Sequence, residues 1–247
     1  DWLPYFMLAE EVCRLYRDKG LLTGPGRGSA AGLSLAYYLG ITHVDPLLYG
    51  LSVDRFLTLD RVLSGKNPDI DMDFPHRDLL VGADGRGGWL QERFGDHVAQ
   101  ISTIMTLKLK SAVLDVARFT MGAVPRDIAE LAHAFELPPQ GLEDYKFVFG
   151  YEDSGNWVEG SITYDEALKK YVERYPEQWS VVQKCLGLGR GVSRHACAFL
   201  IANRPIWEFV PLTKISDIVC TQFTAGAVEA VGGLKMDFLV INSLNDI

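Results

Sequence analysis

Residues 68–74 read Pro-Asp-Ile-Asp-Met-Asp-Phe, a run in which three carboxylates alternate with three large apolar side chains. Successive side chains of a β-strand point to opposite faces, so this period of two predicts a strand with Ile70, Met72 and Phe74 in the core. Aspartate is rare in strands and like charges repel, so a bound cation best explains an acidic face. Carboxylate oxygens suit Mg²⁺ or Mn²⁺. A solvated strand face or an acidic turn is the alternative.

A second acidic strand is predicted at residues 233–239, Gly-Leu-Lys-Met-Asp-Phe-Leu. Its alternation places Lys235 and Asp237 on one face. Beside the first strand, Asp237 would complete a cradle of three carboxylates that holds two divalent ions. Two such ions about 4 Å apart can activate an attacking hydroxyl and stabilise the leaving oxygen of a displacement at phosphorus. The cation of Lys235 would suit a polyphosphate substrate at the same place.

Residues 24–32, Gly-Pro-Gly-Arg-Gly-Ser-Ala-Ala-Gly, predict a phosphate-binding loop, and residues 33–39 predict a helix that follows it. Glycines let backbone N–H groups approach an anion, and a helix N-terminus favours phosphate. Arg27 and Ser29 add further donors. The P-loop motif Gly-x-x-x-x-Gly-Lys-[Ser/Thr] is absent from the sequence. A dinucleotide site is disfavoured because no acidic residue ends a second strand at the required spacing.

Together these elements form a nucleotidyltransferase pattern, and the chain resembles the C family of bacterial replicative DNA polymerases, the polymerase III alpha subunits. The resemblance rests on six blocks in the family's order, which cover nearly the whole chain. They are GPGRGSAAG with YYLGITHVDPLLYGL, then DRFL, PDIDMDF, ISTIMTLKLKSAVLDVAR, RHACAFLIA and GGLKMDFL.

The resemblance implies which residues act in catalysis. Asp69, Asp71 and Asp237 match the catalytic aspartates that hold two Mg²⁺ ions, with Mn²⁺ as a possible substitute. It makes Asp73 a neighbour of the site and not a metal ligand.

The resemblance also implies the residues that bind the nucleotide. Arg27, Gly28 and Ser29 match the loop that contacts the phosphates of the incoming nucleotide. Arg55 and Lys235 match basic residues that line the same site.

Positions near the template–primer are implied at Lys110, Arg118, Arg194 and His195. The formal charge of −8 argues against general attraction to DNA, because neutralising phosphates requires clustered lysine and arginine. Ordinary solvated helix faces remain the alternative for Lys110 and Arg118. A hydrogen-bonded core histidine at a strand start remains the alternative for His195.

The predicted fold class is α+β. Helices are predicted at residues 1–20, 112–121, 126–135, 164–174 and 176–186, strands at 198–202 and 218–223, and a glycine-rich loop at 82–88. The resemblance implies a polymerase beta-like nucleotidyltransferase palm, a mixed sheet with flanking helices, into which a mostly helical thumb is inserted. The palm would take residues 1–100 and 192–247, and the thumb residues 101–191. Residues 62–67 form a longer link than the family's usual one.

Composition agrees with a reducing compartment. With 48% hydrophobic residues among 247, the chain can bury a substantial core in one or two domains. Its four cysteines and five histidines are scattered, so neither a zinc site nor a disulfide framework is predicted. No stretch is long and apolar enough for a membrane span, and the start has no signal-peptide pattern. It is predicted to be an amphipathic helix whose inward residues are Leu3, Phe6, Met7, Leu8, Val12, Leu15 and Tyr16. The expected location is the cytoplasm, at the nucleoid.

The predicted function is template-directed DNA synthesis, in which a primer 3′ hydroxyl attacks the α-phosphorus of a deoxynucleoside triphosphate. A template-independent nucleotidyltransferase and a non-catalytic nucleic-acid-binding fragment are the alternatives. Expected partners are primer–template DNA, dNTP, the family's other polymerase domains, a sliding clamp and further replisome subunits, with no membrane. Because family members carry fingers and other domains outside the matched blocks, we expect this chain to be a fragment that is inactive alone.

Overall fold

The computed structural model describes residues 2–56, 58, 63, 70–83, 85–139 and 141–246, without the side chains of Arg55 and Asn242. Two predicted site residues are affected. Asp69 lies outside the described residues, as does the side chain of Arg55. The predicted long link at residues 62–67 also lies outside them, except for Leu63.

The described α-helices follow one another along the chain as α1 (Leu3–Asp18), α2 (Ser34–Tyr38), α3 (Arg77–Val81), α4 (Trp89–Phe94), α5 (Leu109–Met121), α6 (Arg126–Ala134), α7 (Asp144–Phe149), α8 (Glu166–Arg174), α9 (Pro176–Cys185) and α10 (Ala225–Ala230). The described strands are β1 (Met72–Phe74), β2 (Val98–Thr106), β3 (Tyr151–Asp153), β4 (Asn156–Val158), β5 (Gly189–Ile201), β6 (Leu212–Ile215), β7 (Ile218–Thr221) and β8 (Leu234–Val240). Within the described parts of the chain, no helix combines the length and the apolar character needed to cross a bilayer.

The chain divides into two compact units. The first contains residues 1–103 and 193–247, and the second contains residues 104–192. The assignment of these units to a palm and a thumb is taken up under Proposed function.

A mixed sheet organises the first unit. Its strands follow the order β1-β8-β5-β2-β7-β6. Strand β8 pairs in parallel with β1 and antiparallel with β5, while β7 pairs in parallel with β2 and antiparallel with β6. The acidic strand β1 therefore lies at one edge of the described sheet, and β8 separates it from β5.

The two acidic strands bury the predicted faces. Ile70, Met72 and Phe74 lie in one hydrophobic cluster with Met236 and Phe238 of β8, and all five are buried. Since strand side chains alternate, the carboxylates between them occupy the opposite face of the sheet. The alternation predicted from sequence is confirmed for the described part of both strands.

Helix α1 covers this cluster, but its inward face differs from the prediction. Phe6, Val12 and Tyr16 are buried as expected, whereas Leu3 and Met7 are 61% and 54% exposed. Other residues of the helix, Tyr5, Ala9 and Cys13 among them, take the core positions instead. The helical period of 3.6 residues allows only one stripe to face the core.

The predicted helix after the glycine loop is present as α2, one residue shorter at each end than the predicted range 33–39. Residues Gly28–Gly32 form a 3₁₀ turn, and α2 holds five residues. Gly28 has a φ of +58°, in the left-handed region, and an ideal Cβ at Gly32 would lie 2.7 Å from the carbonyl oxygen of Ser52. A turn packed this closely against backbone does not continue as a regular α-helix.

Sequence reasoning missed strand β2, although its stretch is rich in strand-forming residues. Ala99 and Ile101 of β2 are buried in a cluster with Ala198 and Leu200 of β5. The glycine-rich loop was predicted correctly, because α3 ends at Val81 and α4 begins only at Trp89.

The second unit is mostly helical, as predicted, but also holds α7 and the hairpin β3–β4. Leu168 and Tyr171 of α8 are fully buried in its core. The buried carboxylate of Asp165 caps α8 by accepting hydrogen bonds from the amides of Ala167 and Leu168, and it accepts another from the amide of Glu136.

Candidate functional site

The register of β1 and β8 brings two of the predicted catalytic carboxylates together. Met72 is level with Phe238, and Asp73 with Leu239. Continuing this parallel register by one residue places Asp71 level with Asp237, on the face opposite the hydrophobic core. Neighbouring strands lie about 4.8 Å apart, so the two carboxylates can approach one shared ion. The third predicted carboxylate, Asp69, lies outside the described residues.

The carboxylate of Asp237 has two different environments at its two oxygens. Oδ2 accepts a short hydrogen bond from Nζ of Lys235. Oδ1 is buried and has no hydrogen-bond partner among the described residues. A buried carboxylate oxygen without a donor is costly, because its lost hydration is not replaced. The atom is therefore a natural ligand for a cation.

The glycine loop packs directly against the acidic strand. The amide of Gly24 donates to the carbonyl oxygen of Asp73 at 2.8 Å. Nη1 of Arg27 forms an ion pair with Oδ1 of Asp73 at 3.1 Å. An ideal Cβ at Gly28 would lie 3.6 Å from Oδ2 of Asp71. Gly28 thus lies beside Asp71 and Arg27 beside Asp73, and the phosphate-binding role of the loop stays a prediction.

Fewer contacts support the phosphate-binding role predicted for Ser29. Ser29 is partly exposed within the 3₁₀ turn, and its hydroxyl has no hydrogen bond to the described residues. Because α2 holds only five residues, the helix-terminus argument for phosphate binding does not apply here. Backbone N–H groups, the guanidinium of Arg27 and this hydroxyl remain as the donors of the loop.

Residues 195–196 of β5 come just before the described pairing of this strand with β8, which begins at Ala198 and Asp237. Two side chains that the sequence analysis did not select hold these residues. Nε2 of Gln100, a buried residue, donates to the carbonyl oxygen of His195 at 2.7 Å. Nη2 of Arg77 donates to the carbonyl oxygen of Ala196 at 3.1 Å. Arg77 follows the acidic strand by three residues, so its nearness to the strand was the available signal. Gln100 lay in the missed strand β2.

His195 is exposed and acts locally as an acceptor. Its Nδ1 accepts from the amides of Ala198 at 3.0 Å and Cys197 at 3.4 Å. These bonds assign the proton of the neutral ring to Nε2. Because His195 is exposed and lies within β5, its interpretation as a core histidine at a strand start is wrong, and its role near the template–primer stays a prediction.

Cys197 lies close enough to Asp237 for the charge of this carboxylate to affect the pKa of its thiol. Burial raises the pKa of the Cys197 thiol, and the negative charge of Asp237 raises it further, against opposing effects of Arg77 and Arg27. The group is therefore a neutral thiol near neutral pH, which argues against a thiolate nucleophile or metal ligand at this position.

Arg194 lies near the glycine-rich loop and near Cys220 of β7. An ideal Cβ at Gly85 would lie 3.3 Å from Nη1 of Arg194. Its charge also lowers the pKa of the Cys220 thiol, against the larger rise caused by burial. The template–primer role predicted for Arg194 stays a prediction.

Of the two predicted DNA-binding residues of the second unit, Arg118 has an acidic partner and Lys110 contacts a histidine. Nζ of Lys110 lies 2.8 Å from Nδ1 of His133. The guanidinium of Arg118 pairs with Asp115 at 2.8 Å, and Arg190 pairs with the same carboxylate at 3.0 Å. One acid thus faces two arginines, which leaves this surface with a positive balance.

Across the described part of the chain, no group of three or more His, Cys, Asp or Glu side chains is arranged to hold a metal. The predicted ligand set is only partly visible there, because Asp69 is outside it. The donor chemistry nevertheless fits a hard cation. Asp71 and Asp237 supply carboxylate oxygens, and Oδ1 of Asp237 is buried without a partner.

The chain matches, over residues 1–240, the family described as "Bacterial DNA polymerase III alpha NTPase domain", and it belongs to that family. It is 37% identical over 247 residues to DNA polymerase III subunit alpha of Thermus aquaticus, covering 97% of this chain and 18% of that protein. The same subunit of Bacillus subtilis strain 168 is 35% identical, with 97% and 20% covered. That of Staphylococcus aureus strain N315 is 34% identical, with 98% and 21% covered. The chain spans about a fifth of the length of these relatives.

Proposed function

We propose that this chain is the catalytic core of a template-directed DNA polymerase, in which a primer 3′ hydroxyl attacks the α-phosphorus of a deoxynucleoside triphosphate and pyrophosphate leaves. The observation that carries the proposal is the buried, unpartnered Oδ1 of Asp237, one strand away from Asp71 on the same sheet face. Membership of the DNA polymerase III alpha family supports the same reaction class.

Asp69, Asp71 and Asp237 would hold the two divalent ions, Mg²⁺ or Mn²⁺. When bound, such ions increase the nucleophilicity of a hydroxyl and stabilise charge that develops on phosphate oxygens. Hard oxygen ligands are the donors that these ions prefer.

The other residues of the site would bind and orient the triphosphate. Backbone N–H groups of the glycine loop and the guanidinium of Arg27 offer donors to phosphate oxygens beside Asp71. Lys235 contributes a cation on the same face, where it contacts Oδ2 of Asp237. This contact also orients Asp237, so Oδ1 is presented as the free ligand atom. We include Ser29 and Arg55 in this nucleotide site on the family resemblance.

We further propose that the first unit is the polymerase beta-like palm and the second unit the thumb. The mixed sheet that carries both acidic strands supports the first assignment. The helical core of the second unit supports the other. Primer–template DNA would contact Lys110, Arg118, Arg194 and His195. A sliding clamp, other replisome subunits and a place at the cytoplasmic nucleoid follow from the family.

Primer extension by the protein at its full natural length tests the proposal, with template-free reactions in parallel. Asp69→Ala, Asp71→Ala and Asp237→Ala should each lower single-turnover incorporation at saturating Mg²⁺ by at least about a hundredfold. Asp18→Asn, at an exposed acid of α1, is the matched control and should leave the rate unchanged.

Each possible failure identifies a different error. Incorporation that needs no template would favour a template-independent nucleotidyltransferase. Full activity of Asp71→Ala and Asp237→Ala would remove these carboxylates from the reaction. DNA binding without any incorporation by the unmodified protein would leave a nucleic-acid-binding module.

A further inference from the structure

Asp73 lies beside the proposed metal ligands Asp71 and Asp237, but its ion-pair partner is Arg27. Its side chain is 12% exposed and pairs with Arg27, whose side chain is 50% exposed. The family resemblance gives Asp73 no part in metal binding. Its carboxylate lies on the same strand face as Asp71, one full period of two along the strand.

The body of the glycine loop is fixed by contacts that do not involve this ion pair. On one side, the amide of Gly24 donates to the carbonyl oxygen of Asp73 at 2.8 Å. On the other side, the amide of His43 donates to the carbonyl oxygen of Pro25 at 2.7 Å. An ideal Cβ at Gly26 would lie 3.3 Å from Cβ of Thr42. Backbone contacts thus clamp the loop from both sides.

The side chain of Arg27 is held differently. Its described anchor is the carboxylate of Asp73, which engages only Nη1 at 3.1 Å. A guanidinium has five N–H donors in a planar fork, so the fork can bind a phosphate while one nitrogen stays on Asp73. Without Asp73, the half-exposed side chain would sample many rotamers, or its charge would be drawn to the carboxylate of Asp71.

We infer that Asp73 is a positioning residue, which holds the guanidinium of Arg27 in the orientation that binds the triphosphate of the incoming nucleotide. The inference rests on the proposed function. It explains why a third carboxylate lies on the strand although the metal cradle does not need it. Pre-orienting a binding group lowers the entropy cost of binding, so the effect should fall on nucleotide affinity.

The test is single-turnover nucleotide incorporation by the full-length protein, measured over a range of dNTP concentrations. Asp73→Ala should raise the half-saturating dNTP concentration about three- to tenfold with little change in the maximal rate. Asp73→Asn keeps an acceptor oxygen and should have a smaller effect. Glu11→Gln is the matched control, because Glu11 pairs with Arg93 at 2.9 Å in the same unit. It should change neither parameter.

A double-mutant cycle tests whether Asp73 acts through Arg27. Arg27→Gln should raise the half-saturating concentration by at least as much as Asp73→Ala, and the double variant should be no worse than Arg27→Gln alone. Arg27 is half exposed, so Arg27→Gln should fold normally and still tests the contact if Asp73→Ala is unstable. Thermal unfolding of each variant shows whether its stability is reduced.

Three outcomes would overturn the inference. The first is an unchanged half-saturating dNTP concentration in Asp73→Ala. The second is a double variant whose half-saturating concentration rises by the product of the two single-variant effects. The third is a collapse of the maximal rate as in Asp71→Ala, which would make Asp73 a metal ligand. Failure of the proposed function is recognised separately, because Asp71→Ala would then retain full incorporation.

Discussion

A methyl group at Gly24 should separate the glycine loop from the acidic strand. The ideal Cβ at this position would lie 2.7 Å from Cβ of Asp73 and 3.3 Å from its Oδ2. Carbon atoms pack at about 3.5–4.0 Å, so Gly24→Ala requires the loop and the strand to move apart by roughly 1 Å. The hydrogen bond from the amide of Gly24 to the carbonyl oxygen of Asp73, 2.8 Å long, would then be lost.

The magnitude follows from these two effects. Overpacking typically costs about 1–3 kcal/mol, and the net value of a backbone hydrogen bond is about 1 kcal/mol. Since separation relieves the clash at the expense of the bond, we expect the free energy of unfolding to fall by about 2–3 kcal/mol. In a protein of this size, that change lowers the unfolding midpoint by about 4–12 °C.

Thermal unfolding followed by circular dichroism measures the midpoint, and hydrogen exchange of the Gly24 amide reports the contact itself. Gly226→Ala is the matched control, because nothing lies within 4 Å of its ideal Cβ and it belongs to α10. Alanine favours a helix over glycine, so this change should be neutral or stabilise by up to about 1 kcal/mol. An unchanged midpoint together with unchanged exchange in Gly24→Ala would refute the packing argument.

Three further predictions concern the second unit. Leu168→Ala, at a fully buried leucine, should destabilise by about 2–5 kcal/mol. Leu137→Ala, at an exposed leucine, should cost less than about 0.5 kcal/mol; urea unfolding compares them. A hydrogen bond from the phenol of Tyr175 lowers the pKa of Asp127. Asp127 thus stabilises the fold above its ordinary pKa and loses this effect as the pH falls through the lowered value. Asp127→Asn should therefore flatten the acid side of the stability–pH profile, and an unchanged profile would contradict the assigned hydrogen bond. Asp115→Asn frees the two arginines that this acid pairs with, so duplex affinity in fluorescence anisotropy should rise and become more salt-dependent. Unchanged affinity would argue against a DNA contact at this surface.

Local periodicity predicted much of the first unit correctly. The alternation around Ile70 and Met236 assigned the buried faces of both acidic strands, because the direction of a strand side chain depends on its own backbone. Helices α5, α6, α8 and α9 of the second unit were predicted for the same reason, since their period of 3.6 residues is a local property, whereas the short helix α7 was missed. The ordered motifs identified the family, which the match over residues 1–240 confirmed.

Contacts between distant residues could not be read from that periodicity. Alternation treats the aspartates of residues 68–74 alike, whereas the parallel register places Asp71 beside Asp237 and the loop places Asp73 beside Arg27. Strand β2, which supplies Gln100, was missed because its character depends on the neighbours it packs against. The 3₁₀ turn within the glycine loop was likewise not predicted, and there an ideal Cβ at Gly32 would lie 2.7 Å from the carbonyl oxygen of Ser52.

The sequence by itself therefore determined the chemistry available to this protein and the faces on which it lies. Only the tertiary structure decided which of those groups meet. The physical reason is that backbone geometry sets the direction of each side chain locally, whereas register and packing depend on residues that the chain brings together over more than a hundred positions, as it does for Asp73 and Leu239.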